Sequence, residues 1–300
     1  MSVNFVRTTA LGLLLGGLAW AGLRFGESNL DRERLQAEIA QTRERAVQAE
    51  KEVSRIRERL EIERLRPIFD EVEAQVSGLR GLEFLAPVDY RLIDRAQIPE
   101  LFSGIIREFY SKEELVLYGR ALARLGLLPS GIDLEKTYIA LLGEQVAAFY
   151  DQFRHRLYLL REAPLDLAQN RIILAHELVH ALQDQHFELR QLPLALKDND
   201  DQVLAASAVV EGDATLVMSM ISATSLSSAE QWGQYLGSVL TTPVRRLVRA
   251  PRYLRESLLF PYLKGQDFVA TLFYAGGFEA VNAAYKNLPR SSAEIEAPSL

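Results

Sequence analysis

The sequence predicts an α+β chain, predominantly helical, with a small β-hairpin or sheet beside one central helix and a long charged helix in front. Three observations carry that reading. Asn29 to Arg66 is rich in Glu, Arg, Ala and Gln and contains no Gly or Pro, the composition of a long solvated helix. Ile173 to Phe187, ILAHELVHALQDQHF, repeats apolar residues at helical spacing. Between them, Gln145 to Leu160, QVAAFYDQFRHRLYLL, is rich in Val, Phe and Tyr around a polar break near Gln152–Arg154, the pattern of a β-hairpin.

Composition narrows the class. A hydrophobic content of 48% with 25% charged residues suits a globular protein, and 300 residues suffice for one large domain or two small ones. A net charge of −6 and the lack of a basic stripe with interleaved aromatics exclude a nucleic-acid binder. The chain has no cysteine, which removes disulfides, thiolate ligands and a cysteine nucleophile.

The chain falls into three expected segments. In residues 1–28, the uncharged run Thr8–Leu23 lies between Arg7 and Arg24. It is short for a membrane span and suits a signal-peptide core, with Ala19-Trp20-Ala21 as a small-x-small cleavage pattern. Trp20 and Arg24 equally suit the interfacial anchors of an uncleaved membrane segment. Either way the expected location is extracytoplasmic, secreted or attached to the membrane. In residues 29–66, Leu35, Ile39, Thr42, Ala46, Ala49, Val53, Ile56 and Leu60 form a weak heptad seam. This segment reads as a homodimeric coiled coil, a single-helix spacer, or a helix packed on the domain behind it, and Pro67 is expected to end it. Residues 67–300 form the main domain.

Within that domain, Pro99 to Gly126 predicts two helices, and Ser130–Asp133 a turn before a third that runs through Leu142. The predicted hairpin follows; it could offer an edge strand to an extended peptide or simply cover the core. The segment from Lys264 onward predicts a helix, a break at Gly276-Gly277 and a second helix to Asn287.

The chemistry concentrates in His176-Glu177-Leu178-Val179-His180, an H-E-x-x-H motif. On a helix, histidines four residues apart share a face and can hold one Zn²⁺ ion, leaving the intervening glutamate as general base. Because only three positions are fixed, accidental matches occur and helical context must support the site. With His176 at zero, His180 falls near ~40° and Glu177 near ~100°, while Leu174, Ala175, Leu178, Ala181 and Leu182 gather between roughly 140° and 260°. Asp166 is the expected N-cap, with Gln169 completing a capping box. Asp184 lies on the metal side, to orient a histidine, contact substrate or remain solvated. His155 reads as a surface hairpin residue, and His186 points away from the pair.

Zinc needs a third protein ligand and an open position for water. Glu211, in Val210-Glu211-Gly212-Asp213-Ala214, is the candidate, on a helix capped by Asp200 or Asp201. Its neighbours on the wheel include Ala208, Ala214 and Thr215, a small face suited to close packing on another helix. A carboxylate there calls for a counter-charge, unless it sits exposed at the helix edge. Asp213 points roughly opposite and is not expected to be a ligand.

His176, Glu177, His180 and Glu211 together resemble the gluzincin zinc metallopeptidases, in which two histidines of H-E-x-x-H and a glutamate from a following helix hold the metal. More closely, the chain is similar to bacterial extracytoplasmic predicted metallopeptidases with an HELVHALQDQHF-like helix followed by Glu-Gly-Asp-Ala. That similarity runs from about Leu79 to the C-terminus and includes Gly126–Pro129, Phe149–Asp151, Phe260–Tyr262 and Ala275–Phe278. It implies a zincin-like catalytic domain and one Zn²⁺ ion, and it supplies no substrate. Many gluzincins place an aspartate four residues after the glutamate ligand; here that position is Thr215.

The expected function is zinc-dependent hydrolysis of peptide or protein substrates. Glu177 acts as base, and Tyr262, Tyr158 or Tyr150 donates to the oxyanion. The competing expectations are a membrane-tethered, non-catalytic scaffold with a structural metal site, and a peptidase-like domain held inactive by its C-terminal segment or a partner.

Overall fold

The computed structural model describes residues 29–225 and 245–298. The chain divides into two units, Met1–Glu63 and Arg64–Leu300. The expected signal peptide or anchor lies outside the described residues. Helix α1, Asn29–Arg80, contributes its residues up to Glu63 as the described part of the first unit and the rest to the second; in the first, Val53, Ile56 and Leu60 of the heptad seam are exposed.

Pro67 does not end this helix, contrary to expectation. An interior proline costs about 3 kcal/mol through its lost hydrogen bond and ring clash. In the second unit, however, the helix buries Phe69, Val72 and Val76 almost completely. Each such side chain is worth about 1.5–3 kcal/mol, so packing outweighs the break. Phe69 stacks on Tyr90 with ring centroids 3.9 Å apart, and Arg80, the last helical residue, is itself buried.

The second unit is α+β and predominantly helical. After α1 come β1 (Asp89–Ile93), α2 (Ile98–Phe109), α3 (Lys112–Arg124), α4 (Leu134–Gln145), β2 (Ala148–Asp151) and β3 (Arg156–Leu160). The chain continues through α5 (Ala168–Phe187), α6 (Asp200–Ser225), α7 (Arg245–Arg249), α8 (Arg252–Lys286) and α9 (Ser292–Glu296).

The predicted hairpin is β2–β3, antiparallel with Tyr150 opposite Leu157. Its turn is closed by Asp151, whose Oδ1 accepts from the backbone N–H groups of Phe153 (2.9 Å) and Arg154 (3.2 Å), and His155 sits in the left-handed region with φ 51°. A third strand, β1, pairs in parallel with β3 and gives the order β1-β3-β2, leaving β2 at an edge. Its signal, the alternation from Val88 to Leu92 after Pro87, is short enough to escape a pattern reading. One face of the sheet packs Tyr158 and Phe149 against Ile98 and Phe102 of α2; the other faces α5.

Helix α5 keeps the predicted apolar face, with Leu174, Ala175, Leu178, Ala181 and Leu182 fully buried. Val179, Gln183 and Asp184 are buried as well, so α5 is a central helix enclosed on most sides rather than a one-faced one. Its N-cap is Leu167, not Asp166, and no side chain caps it. Later side chains reach back instead: Asn170 Nδ2 donates to Pro164 O and Arg171 Nε to Leu165 O, both at 2.7 Å. Helix α6 likewise begins one residue after its cap. Asn199 Oδ1 accepts from Gln202 N at 3.1 Å, while Asp200 accepts from the Tyr118 hydroxyl and Asp201 from Ser292 N.

Helix α6 is long and apolar enough to cross a membrane, yet 67% of its most apolar window is buried inside the protein, which is how a core helix behaves. It packs against α8 more closely than side chains would allow. A Cβ on Gly212 would lie 2.2 Å from Gly265 O, and one on Gly265 would lie 2.1 Å from Ala208 O. Glycine at both crossing points is therefore a steric requirement. The predicted break at Gly276-Gly277 is present inside α8, with φ 65° at Gly277.

Candidate metal centre

The site forms where α5, α6 and α8 meet beneath the edge strand β2. His176 and His180 project from one face of α5, and Glu211 from α6 opposite them. His176 Nε2 lies 3.1 Å from His180 Nε2 and 3.2 Å from Glu211 Oε2, and His180 Nε2 lies 3.3 Å from the same oxygen. The three side chains retain only 9%, 12% and 22% of their surface, so their polar atoms face one another rather than solvent.

This group could hold a metal ion. Zinc with bonds of about 2.0–2.1 Å in a tetrahedron sets its ligand atoms about 3.3 Å apart, and these donors already stand at that separation. Two imidazole nitrogens and one carboxylate oxygen are also a donor set that catalytic zinc sites use.

The electrostatics follow from one carboxylate shared by two rings. Burial works against charge on both Glu211 and His180, but each offsets it for the other. Glu211 is held far below the usual carboxylate range, and His180 is pushed up to about 9. Glu177 behaves oppositely. Burial raises its pKa, the Glu211 charge adds to that, and the two histidines only partly oppose it. Glu177 Oε2 accepts the backbone N–H of Tyr150 at 2.8 Å, which ties it to β2.

Tyr262, 41% exposed, reaches the site from α8, just after the buried Pro261 and three residues before the Gly265 crossing. Its ring stacks on His176 with centroids 6.0 Å apart. The neighbouring Glu211 charge raises its pKa well above the ordinary tyrosine value, with the hydroxyl placed beside that carboxylate.

The other sequence candidates are placed elsewhere. The Tyr150 hydroxyl donates to Asp184 Oδ2 at 2.7 Å, so Tyr150 serves the site through its backbone and not its phenol. Tyr158 belongs to the apolar core between the sheet and α2, stacked on Phe149, and supplies no oxyanion donor. Asp184 is neither solvated nor in contact with a metal histidine. Its Oδ2 also takes the Nδ1 proton of His155 at 2.7 Å, and its Oδ1 accepts Leu189 N at 3.1 Å, which pins the hairpin to the end of α5. His155 is an exposed hairpin residue, and His186 Nε2 meets Glu83 O at 2.8 Å, away from the group.

Gln183, which helical spacing alone does not single out, supports one histidine of the candidate group. Gln183 is buried, and its Oε1 accepts from His180 Nδ1 at 2.9 Å. Behind it Asp213, which lies outside the candidate group, forms an ion pair with Arg80 whose side chains are both 0% exposed. A polar residue three positions after His180 was the only available signal, since Arg80 joins from a helix far away in sequence. Three buried atoms, Arg80 Nη1, His176 Nδ1 and Thr215 Oγ1, have no hydrogen-bond partner among the described residues.

No protein-family profile and no curated protein matches the chain. A solved structure with similarity to it is a candidate hydrolase with a novel fold from Chloroflexus aurantiacus, 20% identical, with a TM-score of 0.48 over 79% of this chain and 87% of that one. That likeness is too distant to assign an activity.

Proposed function

We propose that this chain is a gluzincin-type zinc metallopeptidase that hydrolyses peptide bonds outside the cytoplasm. The observation that carries the reading is the convergence of His176 Nε2, His180 Nε2 and Glu211 Oε2 within 3.3 Å, with Glu177 alongside. His176, His180 and Glu211 would hold the ion, which in such sites polarises a carbonyl and lowers the pKa of a bound water to about 7.

The chain's own residues do the rest. Glu177, raised by burial, accepts a proton from the attacking water and delivers it to the leaving amine. Tyr262 donates its hydroxyl to the oxygen on which negative charge develops. The edge strand β2, joined to Glu177 through Tyr150 N–H, offers an extended peptide a place to pair beside the base. Three protein ligands is also the number that leaves room for substrate chemistry, whereas structural zinc sites close with four.

The apolar run Thr8–Leu23 supports export or membrane attachment. The exposed Val53, Ile56 and Leu60 support a homodimeric stalk in α1, and a Leu60→Glu chain that sediments as the wild type does would count against it.

The deciding experiment is metal analysis of the purified chain followed by profiling against a peptide library, before and after chelation. One zinc per chain and chelator-sensitive cleavage are expected. Bound zinc without cleavage of any peptide or protein favours the scaffold reading.

A further inference from the structure

We infer that Gln183 is the positioning residue of the metal centre and that the buried Arg80–Asp213 ion pair dictates how it points. The inference rests on the proposed metal site. It begins with an amide whose orientation the surroundings decide. Gln183 Nε2 lies 3.0 Å from Val210 O and 3.1 Å from Asp213 Oδ2. Both are acceptors only, so the amide must present its NH₂ group there. Its oxygen is left facing His180 Nδ1 at 2.9 Å, and that nitrogen must carry the proton. With zinc in place, His180 Nε2 would then offer its lone pair on the side where His176 and Glu211 lie.

Asp213 is itself held as an acceptor by donors of its own. Arg80 Nε donates to both its oxygens, at 2.8 and 3.1 Å, and the Tyr285 hydroxyl donates to Oδ2 at 3.0 Å. The guanidinium is fixed in turn by Asn282 Oδ1 at 2.6 Å and by the Phe278 ring 4.6 Å away. One polar chain therefore runs from the end of α1 to a metal ligand through Arg80, Asp213, Gln183 and His180. Histidines that bind metal depend on such partners for ring orientation and tautomer, and losing one costs about 10–100-fold in affinity.

The same geometry explains the spacing of Glu211-Gly212-Asp213. Glu211 faces the metal group, Gly212 admits α8, and Asp213 faces back to Gln183, so three consecutive residues of α6 serve three different neighbours. His176 has no equivalent partner among the described residues.

The test measures zinc affinity of the folded full chain by competition with a chromophoric chelator. Gln183→Met, close in size, is expected to weaken zinc binding about 10–100-fold, with a changed visible spectrum of the Co²⁺-loaded form. Asp213→Asn should weaken binding in the same direction, because an asparagine NH₂ lets the Gln183 amide turn over. Gln185→Met, an α5 change at the surface loop Leu85–Ala86, is the control and should leave affinity unchanged. A purely structural Gln183 would lower the unfolding temperature of the metal-free protein and leave the affinity of the folded protein intact, which overturns the inference. Should Gln183→Met not fold, long-range ¹H–¹⁵N NMR of the zinc-loaded wild type decides: His180 protonated on Nδ1 supports the inference, and metallation at Nδ1 sinks it. A wild-type chain that binds no zinc removes the metal site itself, and the inference with it.

Discussion

Tyr150 donates its backbone N–H to Glu177 Oε2 over 2.8 Å, so the proposed base is held by the edge of a sheet as well as by its own helix. The same residue sends its hydroxyl to Asp184. One strand position thus fastens β2 to α5 at two points about seven residues, or roughly 10 Å, apart along the helix.

Glu177→Gln preserves the acceptor for Tyr150 N–H but removes the base. Zinc content should be unchanged while turnover falls by about 10²–10⁴-fold. Metal analysis alongside peptide hydrolysis checks this, and full activity in the variant sinks the proposed mechanism.

Tyr262→Phe keeps the ring on His176 and deletes only the hydroxyl. The expected result is intact zinc binding with kcat lowered about 10²-fold and KM little changed. A loss confined to KM would assign Tyr262 to substrate binding instead.

Glu211→Gln keeps the shape of the third ligand and removes its charge. Zinc should be lost on dialysis against a mild chelator that leaves the wild type loaded. Retention of one zinc per chain would show that Glu211 is dispensable.

Gly212→Ala drives a methyl group to 2.2 Å from a backbone oxygen that cannot rotate away. Overpacking of this kind costs at least about 1–3 kcal/mol, and parting α6 from α8 also separates Glu211 from the Tyr262 side of the site. Thermal unfolding and zinc content should both fall. Gly104→Ala, with no atom within 4 Å of the new methyl, is the control and should stabilise α2 by up to about 1 kcal/mol.

Asp184→Asn leaves a buried site with three donors and one acceptor oxygen fewer. Stability should drop by about 1–3 kcal/mol with zinc affinity unchanged. That result separates the residue that pins the hairpin from Gln183, its neighbour in sequence, which contacts His180 of the candidate group. Chemical denaturation and the zinc competition assay read the two quantities.

Much of this architecture was legible in local pattern. The motif helix, its apolar face, the hairpin, the three helices before it and the Gly276-Gly277 break all rest on contacts within a few residues, and each appears at about the expected place. Glu211 was legible for a different reason: a lone carboxylate among small residues needs a counter-charge, and His176 and His180 supply the setting for one. What escaped was set by distant partners. Pro67 ends helices by local rule, yet Phe69, Val72 and Val76 bury deeply enough to carry α1 past it. Asp184 and Gln183 look alike on a helical wheel, but the hairpin claims the first and α6 the second. Tyr158 has the chemistry of an oxyanion donor and the surroundings of a core residue.

The sequence by itself determined the candidate donor types, their spacing on α5, and the helix that brings the third of them, because one turn of helix defines which residues share a face. Only the tertiary structure decided which polar residues support them. The buried Arg80–Asp213 pair is formed by residues 133 positions apart. Its place behind Gln183 depends on three helices packing together, with glycine where α6 and α8 cross. Burial makes such pairs obligatory, since an enclosed charge must find its partner, but where that partner lies in the chain is a property of the fold.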